Sequence, residues 1–373
     1  MLYKTSFEVP MTRFASAIPF FTSFLFPFIA LVALTNETEH GLILAWTLPF
    51  VAFVLLPILD QSVPMEEHEY TKNETQSRKN EWVYSIPLYL ILPVQWIVVG
   101  FLVYKTSTLS LVDLNLEWVG LVFTVGICCG TFGINVAHEL GHRTVKHAQF
   151  AARGLLLSSL YLHFIIEHNR GHHKHVATNL DPATSRYNQT VYAFWLQSIP
   201  GSWRSAWNLE AKRLDKKELS WYHNEMIWGT LLQTSLLVGI AAFFGLFAMV
   251  SFAFAAVIGI LLLETINYLE HYGLERDLKD NGRFERVQPH HSWNCNRSVG
   301  RLVLFELTRH SDHHAHANRP YQILRHYETA PQLPAGYPAM MVIALVPPLW
   351  FGVMNPRLHR YLNPRVVLRE MHA

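Results

Sequence analysis

The stretch Trp118–His142, WVGLVFTVGICCGTFGINVAHELGH, decides the fold: twenty residues without a charge run directly into two histidines spaced four apart. Roughly twenty apolar residues are what a helix needs to cross a bilayer. Positions i and i+4 of a helix share a face, so His138 and His142 can reach one metal ion where the span ends. The stretch therefore predicts a membrane helix that delivers imidazoles to the bilayer surface.

Working outward, comparable runs occupy Phe14 to Leu34, Gly41 to Leu59 and Tyr84 to Tyr104. Met226 to Leu263 contains no Asp, Glu, Lys, Arg or His over 38 residues, and divides near Gly245 to Met249 into a tight pair of helices. The expected fold is an all-α integral membrane protein with six transmembrane helices and a helical cap holding the metal site. In one integrated domain, residues 1–137 carry spans one to four, 138–225 a histidine-rich polar segment, 226–272 spans five and six, and 273–373 a second polar segment.

Composition agrees, since only 16% of the 373 residues are charged, against roughly 25% in soluble domains. A net charge of +2 gives no case for nucleic acid. Cys128, Cys129 and Cys295 can form neither a disulfide framework nor a metal site with four cysteines. The first run follows Lys4 and Arg13, is longer than a signal-peptide core and reads as a retained anchor. The 35–40 loop has no Lys or Arg and the 105–116 loop only Lys105. The 60–83 loop carries Lys72, Arg78 and Lys79, and the 138–225 segment carries eleven basic residues. Basic loops stay inside, which places both termini and both polar segments in the cytoplasm. Gly126 and Gly130 predict a close helix crossing, with the cysteines beside them as small packing residues.

Histidine is the outlier, at 21 residues. Glu167-His168-Asn169-Arg170-Gly171-His172-His173 repeats the i, i+4 pair and adds a neighbour on the next face. His310-Ser311-Asp312-His313-His314 again offers one helical face, and His271 sits at the exit of the sixth span. Nine candidate ligands result: His138, His142, His168, His172, His173, His271, His310, His313 and His314. A catalytic zinc takes three protein ligands and an open position, so nine imidazoles imply two metals. Imidazole suits Zn, Cu, Fe or Ni and does not name the metal. Glu139, Glu167, Glu270 and Asp312 each neighbour a ligand candidate about 100° away around the helix, where a carboxylate can orient an imidazole or offset charge. Asn267 and Glu264 fall on the His271 face. His147, His163, His175, His290, His291 and His316 lack the repeated spacing and read as structural. A metal just below the bilayer can take a hydrocarbon from the membrane while a soluble donor approaches from the water.

HELGHR (138–143), EHNRGHH (167–173), NYLEHYG (267–273) and LTRHSDHHAHANRPYQILR (307–325), with DPATSR (181–186) and PHHSWN (289–294), resemble the membrane alkane 1-monooxygenase family of non-haem di-iron enzymes. The resemblance covers most of the chain, the N-terminal third mainly in layout. Arg143 stands where the family commonly has Lys and keeps the charge. The resemblance implies two iron ions on the nine histidines and O2-dependent hydroxylation of the terminal methyl of an n-alkane, in the bacterial inner membrane. Electrons would come from rubredoxin, a separate chain reduced by an NADH-dependent rubredoxin reductase. Ala52 resembles a substrate-tunnel position often held by a large aromatic, so alanine implies a deeper tunnel and chains longer than octane. Because rubredoxins are acidic, Lys212, Arg213, Lys216 and Lys217 form a candidate docking patch. The rival readings are a xylene-type or fatty acyl hydroxylase or desaturase, a zinc protease built on HELGH, which leaves seven histidines unexplained, and a metal transporter.

Overall fold

The computed structural model describes residues 15–65, 70–79 and 81–370. The expected start of the first run at Phe14, with Lys4 and Arg13, lies outside these residues. Among the described residues every regular element is helical, and two isolated bridges, Leu278 with Phe284 and Asn294 with Gln332, supply the β contacts. The first four membrane-length helices are α1 (Ala15–Thr35), α2 (Gly41–Ser62), α3 (Trp82–Thr106) and α4 (Leu116–Gly141). The shorter or more polar α5 (Lys146–Leu157), α6 (residues 164–175) and α7 (Val191–Lys216) come next. The last two membrane-length helices are α8 (Glu225–Phe244) and α9 (Leu246–His271). Beyond them lie α10 (His310–Ala315), α11 (Tyr337–Ala344) and α12 (Pro347–Glu370).

The sequence reading of six spans thus holds, and α4 forms their axis: 83% of its apolar window is buried, against 6% for α8. It packs on α1, α2, α3 and α9. The crossing with α9 is as close as Gly126 and Gly130 predict. A Cβ on Gly126 would meet Ile258 side-chain carbons at 2.5 and 2.6 Å, and one on Gly130 would meet the Gly259 carbonyl oxygen at 3.1 Å. From the other side, a Cβ on Gly259 would meet Cys129 Cβ at 2.6 Å and the Gly130 amide nitrogen at 2.9 Å. Backbone cannot turn aside as a rotamer can, so Gly259→Val is expected to destabilise the helix bundle by about 1–3 kcal/mol, read as earlier thermal unfolding in detergent.

The break between α8 and α9 falls at Gly245, whose φ of +88° is open to glycine and strained for other residues. Three helices contain wide π turns, Val51–Leu55 in α2, Cys129–Ile134 in α4 and His168–His172 in α6. Such turns reset which side chains share a face. In α2 the turn directly precedes Pro57, which has no N–H to give the carbonyl four residues back.

The last histidine box is pinned to the spans from two sides. Asp60, in the last turn of α2, accepts the Gly300 N–H at 2.9 Å, and Asn135 in α4 donates to the Leu304 carbonyl at 3.0 Å. Phe305 and Glu306 then take left-handed backbone, φ 52° and 60°, which costs roughly 1–2 kcal/mol per residue. A buried two-pronged pair from Arg301 to Glu306, at 2.7 and 2.8 Å, holds that turn. It aims α10 at the ends of α4 and α9.

Candidate metal centre

The nine histidines converge in two adjacent groups. His138, His142, His168, His173 and His313 form one, and His172, His271, His310 and His314 the other. Within each, the candidate ligand atoms lie within 4.8 Å of one another. In the five-histidine group the Nε2 atoms face each other: His138 to His313 at 2.9 Å, His168 to His173 at 2.9 Å, His173 to His313 at 3.1 Å and His142 to His168 at 3.2 Å. In the four-histidine group His271 and His310 stand 3.4 Å apart. Two nitrogens each about 2.1 Å from one ion lie roughly 3.0 Å apart at a right angle and roughly 3.4 Å apart at the tetrahedral angle. The spacings fit nitrogens sharing an ion. His172 Nε2 and both ring nitrogens of His314 are buried with no hydrogen-bond partner among the described residues. Unpaired polar atoms in a core are costly, and a metal ion satisfies one nitrogen of each ring.

This grouping differs from the faces read off the spacing. His168 and His172, four apart, belong to different groups; His168 instead joins His173, five apart. The reason is the π turn at His168–His172, whose i→i+5 bonding brings i and i+5 onto one face. Nor do His310, His313 and His314 serve one site. In α10 the i, i+4 pair His310 and His314 faces one group and His313 the other. Each His-His dipeptide, 172–173 and 313–314, is therefore divided between the two groups, since adjacent side chains diverge by about 100°. The ring centroids of His173 and His314 are 4.5 Å apart across the divide.

Burial and the surrounding imidazoles keep the cluster neutral. His142 is held down to about 4 by burial and then by His172. Burial likewise pushes His168, His173, His310, His313 and His314 well below the ordinary imidazole value. Neutral imidazole is the coordinating form. His172 is the exception: burial pulls it down, but Asp181, helped by Glu167 and Glu264, outweighs that and leaves it raised. Asp181 Oδ2 accepts from His172 Nδ1 at 2.9 Å and from the Thr184 hydroxyl at 2.6 Å. That bond fixes the proton on Nδ1, points the bare Nε2 into the site and raises its basicity as a ligand.

Asp181 is the carboxylate that spacing alone misses, nine residues from its imidazole; its only signal was the DPATSR string. Of the carboxylates read from the boxes, Glu270 does meet an imidazole, His310 Nε2 at 3.1 Å, while accepting from Tyr337 at 2.8 Å. Glu139 and Asp312 turn instead to arginines. Glu139 pairs with Arg143 at 3.2 Å, and Asp312 takes Arg319 and the Arg325 N–H, with His316 from outside the nine. Glu167 accepts from Ser205. Asn267 donates to Glu264 at 3.3 Å, and Glu264 also binds the hydroxyls of Tyr161 and Ser198, so this pair ties α9 to α7 and to the turn before α6.

Glu285, His290 and His291 form a third close group. Here His291 Nδ1 accepts the Gln288 N–H at 3.0 Å, so its proton sits on Nε2 and goes to Glu285 at 2.9 Å. Both nitrogens of that ring are engaged, which is a structural histidine. His147 packs its ring on Tyr89 and His163 on Tyr161.

A narrow apolar cavity of about 50 Å³ lies between α1, α2, α4, α9, α11 and the short helix Ser298–Val303, lined by Phe26, Ala52, Leu56, Thr131, Ile266 and Met341 among others. Asn135, one turn before His138, and Tyr337, bonded to Glu270, also line it. Ala52 is 5% exposed and sits in the π turn of α2.

Buried paired imidazole groups at the ends of membrane-length helices, with an apolar cavity beside them, define a histidine-box membrane metalloenzyme. Residues 116–344 match the fatty acid desaturase family. The chain is 41% identical to alkane 1-monooxygenase 2 of Pseudomonas aeruginosa, over 85% of this chain and 84% of that one. It is 37% identical to alkane 1-monooxygenase of Pseudomonas putida, over 88% and 82%. The xylene/toluene monooxygenase hydroxylase component of Pseudomonas putida is 28% identical over 84% and 83%. The chain belongs to the alkane 1-monooxygenase family.

Proposed function

We propose that this protein is a multi-pass membrane alkane 1-monooxygenase that places one atom of O2 on the terminal carbon of n-alkanes. The observation that carries the reading is the apolar cavity whose lining includes Asn135, one turn before His138, and Tyr337, joined through Glu270 to His310. His138, His142, His168, His173 and His313 would hold one iron ion and His172, His271, His310 and His314 the other. Bound iron supplies O2 activation with two electrons from rubredoxin, itself reduced by an NADH-dependent rubredoxin reductase. The protein's own residues do the rest. Asp181 keeps the His172 proton on Nδ1, Arg301 and Glu306 hold the turn that presents α10, and the cavity admits a chain end while excluding water. The four-helix, polar, two-helix, polar order (1–137, 138–225, 226–272, 273–373) and the basic loops support a cytoplasmic cap and termini in a bacterial inner membrane.

The test is metal content together with product. Protein purified after iron-replete growth should carry about two irons per chain, and with rubredoxin, its reductase and NADH should convert n-alkane to primary alcohol. A single zinc unchanged by added iron, or benzylic alcohol from xylenes with no alkanol, counts against it. Chain length follows from Ala52. Tryptophan there fills the cavity, so Ala52→Trp should shift the preferred alkane to shorter chains while metal content stays unchanged. An unaltered length profile refutes the tunnel role.

A further inference from the structure

Of the nine cluster histidines, His142 and His173, both in the five-histidine group, are only partly buried, while the four-histidine group is buried throughout. Each of the two opens onto its own cavity. His142 lines one of about 480 Å³ together with Lys79, Arg143 and Arg319. His173, with His314 behind it, lines one of about 670 Å³ together with Lys174, Arg276, Arg283 and Arg286. Charge distinguishes them. In the first, whose lining also includes Glu81 and Glu139, Arg143 is held by Glu139 and Arg319 by Asp312, which leaves Lys79 as its one cation without an ion pair among the described residues. In the second, Lys174, Arg283 and Arg286 are exposed and make no ion pair among the described residues. Lys212 stands close enough to act electrostatically on His175 at the same mouth. The patch read from sequence is less available than its charges suggest, because Arg213 is bound to buried Glu210 at 2.8 and 2.9 Å and to the His223 carbonyl.

We propose that the electron donor, a small acidic one-electron carrier protein of the rubredoxin type, docks over the His173 mouth on Lys174, Arg283 and Arg286, and delivers electrons first to the five-histidine group. The proposal rests on the monooxygenase reading above. Each turnover consumes one alkane, one O2, two electrons and two protons to give one alcohol and one water, so two carriers are each oxidised by one electron. Transfer falls steeply with distance, and His173 is the partly buried cluster histidine that lines the mouth carrying Lys174, Arg283 and Arg286.

The experiment compares Arg283→Glu/Arg286→Glu with Lys216→Glu/Lys217→Glu and the unsubstituted protein, titrating purified acidic rubredoxin at low and high salt in neutral detergent. Equal iron content checks that both variants fold and load. The arginine variant should need about tenfold more rubredoxin for half-maximal turnover and lose most of its salt dependence, with the rate at saturating donor retained. An unchanged requirement in that variant overturns the proposal, as does a larger shift in the lysine variant. A loss seen only in vesicles of anionic lipid assigns these cations to headgroups and overturns it too. If the unsubstituted protein oxidises rubredoxin but yields no alcohol from any alkane, the monooxygenase reading itself fails, a result separable from a docking failure.

Discussion

His314→Ala is expected to leave about one metal ion per chain and to lower alkane hydroxylation by more than about 100-fold, beyond the range seen when only a ligand's supporting partner is lost. His313→Ala, one residue away, should also leave about one ion, but from the other group. The expectation follows from the division of α10, in which His310 and His314 face the four-histidine group and His313 the five-histidine group. In the four-histidine group, loss of His314 leaves three imidazoles, His172, His271 and His310. In the five-histidine group, loss of His313 leaves four. With the damaged group emptied, the His314 variant keeps its remaining ion on five intact imidazoles and the His313 variant on four, so the His313 variant should release that remaining ion more readily to a chelator. Iron per chain, measured across a chelator titration, reads the difference. Two ions retained by either variant, or both lost together from each, would refute the division into independent groups.

The same division shows what was legible in the sequence. The spans were, because bilayer thickness dictates uninterrupted apolar length, and 38 uncharged residues at Met226 to Leu263 admit little but two helices. The break at Gly245 lay within the expected interval because glycine opens the backbone conformation the turn adopts. The nine histidines were legible as a set through repeated spacing. Their partition was not, since an α-helical rule was applied to a turn that is π-helical over His168–His172. Within that widened turn Arg170 binds Glu210 of α7 and Asn169 donates to the Gly141 carbonyl at the end of α4. Neither contact is visible along the chain. The carboxylates show the same limit. Adjacency pointed to Glu139 and Asp312, but both lie within reach of arginines that claim them more strongly. The apolar cavity draws on six separate helices, so its existence could be expected from chemistry while its walls could not be named beyond Ala52.

Asp181→Asn should weaken metal binding by the four-histidine group by about 10–100-fold and leave the five-histidine group loaded. Asparagine keeps the size of the side chain and can still accept from His172 Nδ1, so a collapse of the surrounding turn is not expected. It removes the negative charge that raises His172 against the lowering effect of burial. His172 would then be a weaker base and a poorer ligand, and its ring could rotate, because the amide can also donate and so tolerates the other tautomer. The pH dependence gives the sign. In the native protein, protons compete with metal at His172 closer to neutrality than at His142, which is held down to about 4. Acidification should therefore empty the four-histidine group before the five-histidine group. In Asp181→Asn the fall in affinity moves the pH at which the first ion leaves up, and the reduced basicity of His172 moves it back down, so the net shift should be smaller than the loss of affinity alone would give. A mutation that merely loosened the fold would lower affinity and move acid release up by the full amount. The difference in the size of the two shifts, read from iron retained per chain between neutral and mildly acid pH, separates loss of an oriented, basic ligand from loss of structure.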